Sequence, residues 1–330
     1  MRRLFRSNSQ VSATLPIERR ALGRSELTVP RVALGCGNFG GVGSAPELFG
    51  QGLSQDEAFE LMDVAWEQGL NHFDTADAYG GGRSERMIGD WMSSRGVRPT
   101  LTTKTYNPMD AGADHGLAPE RIVRQLESSL ERLGADQVDL YLAHEFDPDV
   151  PLPDTLAAFE RLAGEGRIRT YGVSNFSAGQ LDVALEVSSP QAIQNEYSLL
   201  ARADEAEVLP LCERERVSYL VFSPLAGGWL TGKYRRGEPF PAGSRMTQRP
   251  DPYAPFVTGP TFDRLEQFER LARAREMSMA GLALAWLLAD QRVTQIVVGP
   301  GRPEHLAPVR EAIERPLSGD ERATLDSVFT

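Results

Sequence analysis

The feature that most constrains this chain is a regular alternation. Short β-branched or apolar runs, each stopped by turn residues, alternate with longer stretches whose apolar residues recur at helical spacing. Counting from Arg31, extended runs fall at 31–34, 71–73, 100–104, 139–144, 169–174, 192–195, 218–222 and 295–298. Ser54-Gln55-Asp56-Glu57 reads as a capping box opening a helix in which Phe59, Leu61, Met62, Ala65 and Trp66 recur at helical spacing. Further helices are expected at 84–92, 119–133, 152–163, 178–185, 204–214, 262–275 and 279–288, with C-terminal helices at 303–313 and 319–328. Eight strands alternating with helices predict a (β/α)8 barrel, the TIM-barrel class of α/β fold, and that fold accommodates 330 residues as one unit. A doubly wound open sheet is the competing architecture. It needs a GxGxxG fingerprint after the first strand, and Gly35-Cys36-Gly37-Asn38-Phe39-Gly40 does not supply one.

Residues 17–29 read as a hairpin around Leu22-Gly23-Arg24-Ser25, and 17–330 as a single domain. Residues 1–16 carry three arginines but no apolar run long enough for a signal peptide, and are expected to form a flexible arm. The apolar stretch 279–289 is far short of the roughly 20 residues a membrane span needs. A net charge of −11 opposes binding to nucleic acid or to anionic membrane. Two cysteines, Cys36 and Cys212, encode no disulfide framework or metal site, so a reducing, cytoplasmic setting is expected. The stretch 227–260, rich in Gly, Pro and Arg, reads as a functional loop rather than a strand or helix.

Chemistry-bearing residues gather at strand exits, where sites are built on parallel sheets and barrels. Phe73-Asp74-Thr75-Ala76-Asp77-Ala78-Tyr79-Gly80 puts Asp74 at one mouth and Tyr79 a loop-width beyond; the run 100–104 ends in Lys104, and 139–144 in His144. Each alone is an ordinary strand end. Together they predict a proton-donating site, with Lys104 held by Asp74. Its positive charge would draw the Tyr79 phenol from its usual pKa of about 10 towards working pH, and His144 would orient a carbonyl oxygen.

These motifs give the chain its likeness to a known family. FDTADAYGGGRSERMIG, TTK and LYLAH together resemble the aldo-keto reductase superfamily, over about residues 22–306. TYNPMDAGADHGLAPERI and HEFDPDVPLPDTLAAFERL look most like the bacterial aryl-alcohol-dehydrogenase-like group, and the PLA...GKY loop resembles the potassium-channel β subunits of the same superfamily. The resemblance implies that the hairpin closes the barrel floor and that NADP(H) is the cofactor. It places Gly37, Asn38 and Asp74 beside the cofactor and Ser174, Asn175 and Gln194 on the nicotinamide carboxamide. Phe222 is expected to stack on the nicotinamide ring. Ser223, Pro224, Leu225, Gly227 and Lys233 would line the pyrophosphate, which Arg245 would also contact. Gly299, Arg302 and His305 fall at the adenosine end. Phe39, Tyr106, Phe146 and Trp229 suggest an apolar, aromatic-tolerant substrate pocket.

Two departures from the family pattern stand out. At the adenosine end relatives carry Ser, Lys or Arg near 301, Gln or Arg at 305 and Glu-Asn at 308 and 309, whereas this chain has Gly301, His305, Pro308 and Val309. Arg302 remains to meet a 2′-phosphate. Glu145 stands where relatives usually have Arg, adds negative charge beside His144 and should disfavour anionic substrates. The expected activity is reversible NADP(H)-dependent reduction of a small-molecule aldehyde or ketone, with Tyr79 as proton donor. The alternative is a cofactor-binding, redox-sensing subunit with slow turnover; such subunits usually lack the histidine, so His144 argues for turnover.

Overall fold

In the computed structural model, which describes residues 14–112 and 114–330, eight parallel strands close into a barrel. β1 (Arg19–Ala21) and β2 (Thr28–Pro30) form an antiparallel hairpin outside it. The barrel strands are β3 (Val32–Gly35), β4 (His72–Asp74), β5 (Thr100–Thr105), β6 (Val138–Ala143), β7 (Ile168–Ser174), β8 (Ala192–Glu196), β9 (Ser218–Phe222) and β10 (Val293–Val298). They neighbour one another in chain order, and β10 returns to pair with β3. The helices are α1 (Gln55–Glu67), α2 (Arg83–Arg95), α3 (Pro119–Leu133), α4 (Leu152–Gly164), α5 (Ala178–Val187), α6 (Val208–Glu215), α7 (Arg245–Gln248), α8 (Gly259–Ala274), α9 (Met279–Ala289), α10 (Ala307–Glu314) and α11 (Gly319–Val328). Reciprocal capping boxes start α1, α5 and α11, supplying the backbone N–H partners a helix N-terminus otherwise lacks. No helix among the described residues is long and apolar enough to cross a membrane.

The period-2 pleat sorts side chains between the barrel interior and the surrounding helices. On β5, Thr102 and Lys104 turn inward, to His72 and Asp74, while Thr103 and Thr105 turn outward, to Glu85 of α2 and Arg121 of α3. Leu22, Leu27 and Val29 of the hairpin pack with Leu140, Leu142, Ala192 and Leu220 as a separate apolar cluster that plugs the barrel floor. A polar layer follows: His72 meets Thr102 Oγ1 at 2.7 Å through Nε2 and Gln295 at 2.9 Å through Nδ1. Burial holds His72 neutral down to about 4.

Three expectations need correction. The arm ends earlier than residue 16: residues 1–13 lie outside the described residues, but Leu15 is buried and its N–H donates to Gln68 O at 3.0 Å. The stretch 227–260 is not bare loop. It contains α7 and 3-10 turns, because Trp229 gathers Tyr234, Phe240, Phe256 and Phe262 into an aromatic cluster that fastens the excursion to the main core. The helix expected at 303–313 starts as a 3-10 turn, Pro303–Leu306, and continues as α10; Pro308 lacks the N–H a continuous α-helix would use there.

Candidate active site

Every barrel strand delivers its last residues to the same rim. Asp74 ends β4, Lys104 lies one residue before the end of β5, His144 follows β6, and Ser174 ends β7. Lys104 is wholly buried, and its ammonium donates to Asp74 Oδ1 at 2.5 Å and to Thr75 O at 2.8 Å. The other Asp74 oxygen accepts from Gln194 Nε2 at 2.8 Å. Lys104 Nζ lies 5.2 Å from the centre of the Tyr79 ring, and that ring meets the His144 ring edge-on at 5.6 Å. Thus the four side chains expected at strand exits occupy one cluster, with the Tyr79 ring partly exposed at its mouth. Gly37 packs against Tyr79: a Cβ there would stand 3.4 Å from the ring, at ordinary van der Waals contact.

The electrostatics differ from the sequence expectation in one respect. Burial pushes the Tyr79 phenol above its ordinary value and outweighs the downward pull of Lys104, so the group holds its proton at neutral pH. A phenol that stays protonated can donate, which a phenolate cannot. Burial, followed by Lys104, lowers His144 to about 3, so its ring is neutral. Burial also raises Glu145 to about 7. Its carboxylate accepts from Asn175 Nδ2 at 3.1 Å, and the same amide donates to His144 O at 2.9 Å.

The residues expected to hold a cofactor sort into three groups. Ser174 Oγ donates to Gln194 O at 2.7 Å, and the amide nitrogens of Asn175 and Gln194 are engaged as above, so this trio is tied to the site's own frame. Asn38 donates to Pro300 O at 2.8 Å, tying the loop after β3 to the loop after β10, while its own Oδ1 is buried without a partner among the described residues. Phe222, the last residue of β9, and Ser223 after it are partly exposed, Pro224 is buried, and Leu225 and Gly227 are partly exposed. Asn175, Ser223 and Ala226 hold φ of 59°, 54° and 48°, left-handed backbone that non-glycine residues adopt at a cost and that gathers at functional sites.

The basic residues at this rim are open to an anion. Lys233 folds back over Gly228, where a Cβ would stand 2.2 Å from its Cε, and the neighbouring charge of Arg245 adds to partial burial in lowering the Lys233 pKa. Neither cation makes an ion pair among the described residues. Arg302 is exposed and pairs with Glu304 at 3.6 Å; His305 accepts from Gly301 N at 3.2 Å; Gly299 is exposed and a Cβ there would meet nothing within 4 Å.

The expected substrate pocket changes. Tyr106 and Phe146 are partly exposed, stacking edge-on against His115 and Phe176. Phe39 and Trp229 are wholly buried and offer no face to a ligand: Phe39 packs in the main core, and Trp229 sits inside its aromatic cluster. Sequence reasoning missed Asn107, whose Nδ2 lies 3.3 Å from His144 Nδ1, 37 residues away. It also missed Arg121, which donates to the carbonyls of Asn107, Asp114 and Gly116 and so staples the loop after β5.

A barrel with this rim constellation defines the class, an oxidoreductase of the aldo-keto type. The chain belongs to the aldo/keto reductase family, whose model matches residues 31–329. It is 31% identical to the putative voltage-gated potassium channel subunit beta of Schizosaccharomyces pombe, over 89% of this chain and 88% of that one. It is 31% identical to the NADH-specific methylglyoxal reductase of Escherichia coli, over 92% and 95%. The structure of a glycerol dehydrogenase from Gluconobacter oxydans superposes with a TM-score of 0.81 at 27% identity, covering 94% of each chain.

Proposed function

We propose that this chain reduces a small aldehyde or ketone to the alcohol, reversibly, with NADP(H) as coenzyme and Tyr79 as proton donor. The observation that carries the reading is the buried Lys104–Asp74 pair set beneath a protonated Tyr79, with a neutral His144 across the same mouth. Tyr79 gives its proton to the carbonyl oxygen as negative charge develops there, Lys104 stabilises the phenolate left behind, and His144 holds the oxygen in line. Bound NADPH supplies the hydride. Phe222 would offer its ring face to the nicotinamide, Lys233 and Arg245 their charges to the diphosphate, and Arg302 its guanidinium to the 2′-phosphate. One relative is named for NADH, so the coenzyme preference of this chain rests on Arg302.

The test is loss of NADPH absorbance with aryl aldehydes, sugars and keto acids as substrates. Turnover of neutral aldehydes, faster with NADPH than with NADH, is expected. The relative named as a channel subunit favours a second reading, a cofactor-binding subunit with slow turnover. Tight NADPH binding without turnover of any carbonyl would favour it.

A further inference from the structure

We propose that Asn107 sets the tautomer of His144 and thereby makes Nε2 the hydrogen-bond donor that meets the substrate carbonyl. Asn107 is a positioning residue in this scheme, and the inference rests on the reductase reading above. The ring of His144 has one hydrogen-bond partner among the described residues, the Asn107 side-chain nitrogen at 3.3 Å from Nδ1. An amide nitrogen can only donate, so Nδ1 must accept and carry no proton; a neutral imidazole then carries its single proton on Nε2. The opposite tautomer would present a lone pair to the carbonyl oxygen, which is repulsive where an oxyanion develops.

The surroundings hold the Asn107 backbone in place. Arg121, itself buried, donates through Nη2 to Asn107 O at 3.0 Å and to Asp114 O at 3.1 Å, and through Nη1 to Thr105 Oγ1 and Gly116 O, both at 3.0 Å. Both ends of the loop after β5 are therefore fastened to the start of α3, and Asn107 leaves that clamp with its side chain on His144. On the other side of the histidine, Asn175 Nδ2 holds His144 O at 2.9 Å, so the backbone of His144 and its Nδ1 are met from the loops after β7 and β5 respectively. Burial, and after it the charge of Lys104, opposes a second proton on the ring. This arrangement is a second-layer hydrogen bond that selects one of two otherwise similar tautomers.

The test reads the protons directly. The full chain has four histidines, so long-range ¹H–¹⁵N correlation spectra of ¹⁵N-labelled protein resolve each ring, with His144→Gln assigning the signals. For the wild type, a pyrrole-like Nε2 and a pyridine-like Nδ1 are expected at His144. Asn107→Asp puts an acceptor in place of the donor; it should move the proton to Nδ1 and lower kcat about 100-fold, as loss of one oxyanion donor does, with KM for NADPH little changed. Asn107→Leu offers neither donor nor acceptor, so both tautomers should appear in its spectrum. A wild-type ring protonated on Nδ1 overturns the proposal without recourse to any variant. An unmoved proton in Asn107→Asp, or a moved proton with unchanged kcat, also overturns it. If the wild type reduces no carbonyl at all, the reductase reading fails, while the spectra still decide the tautomer.

Discussion

Replacing Lys104 with Met separates what the buried ion pair does for stability from what it does for chemistry. Met keeps most of the stem volume, so little cavity is opened and the loss is electrostatic. The Asp74 carboxylate, in a residue 4% exposed, would keep only the Gln194 amide at 2.8 Å out of its present donors among the described residues. Removing one partner of a buried pair costs about 3–5 kcal/mol, because the other charge is left without compensation. Adding Asp74→Asn removes that charge, so the double variant should be more stable than Lys104→Met alone. For the chemistry, a cation 5.2 Å from the phenol ring acts with roughly 3 kcal/mol at an effective dielectric near 20, which corresponds to about a 100-fold loss of turnover. Urea unfolding followed by tryptophan fluorescence gives the first quantity, and NADPH absorbance under saturating substrate gives the second. Equal urea midpoints for wild type and Lys104→Met, or a double variant less stable than the single, would refute the reasoning.

Three further outcomes are expected. Arg302→Ala should narrow the affinity gap between NADPH and NADH by about 1 kcal/mol, the upper end for an exposed ion pair and below the usual worth of a hydrogen bond to a charged group, since Arg302 is solvent-exposed and Glu304 competes for it; fluorescence titration with both coenzymes measures this. His72 and His144 have folded pKa values near 4 and 3, below their ordinary 6.5, so the unfolded chain binds the extra protons. Their contribution to stability is complete above 6.5 and declines as pH falls from there towards 3; urea midpoints measured across that range should drop, and less steeply in His72→Gln. Glu145 becomes charged as pH rises through about 7, so kcat/KM for a keto acid relative to a neutral aldehyde should fall over that interval in wild type and stay level in Glu145→Gln.

Much of this molecule can be read from its residues. Strand runs ending in Asp74, Lys104 and His144 announce both the barrel and its rim, since period-2 apolar runs and their stop signals are local properties. The limits at residues 119–133, 218–222 and 319–328 coincide with α3, β9 and α11, where a proline, a turn or a capping serine marks the boundary. What the residues alone conceal is what packing decides. Trp229 and Phe39 look like pocket aromatics beside conspicuous loop motifs, yet each is enclosed by neighbours distant in sequence or within the same excursion. Net electrostatics are equally hidden: the pull of Lys104 on Tyr79 is foreseeable, whereas the larger effect of burial appears only when the barrel closes around both. Asn107 sits in an Asn-Pro turn signal, and nothing in its neighbourhood of the chain points across to His144.

Proton delivery by Tyr79 is the step on which the proposed reaction depends. The most direct measurement is the single-turnover rate of NADPH oxidation by Tyr79→Phe with a neutral aldehyde, alongside the coenzyme affinity of the same protein. The lost hydroxyl acts in the transition state, so the rate should fall by at least about 100-fold while NADPH affinity stays near that of the wild type. A Tyr79→Phe variant that reduces the aldehyde at the wild-type rate would contradict the account.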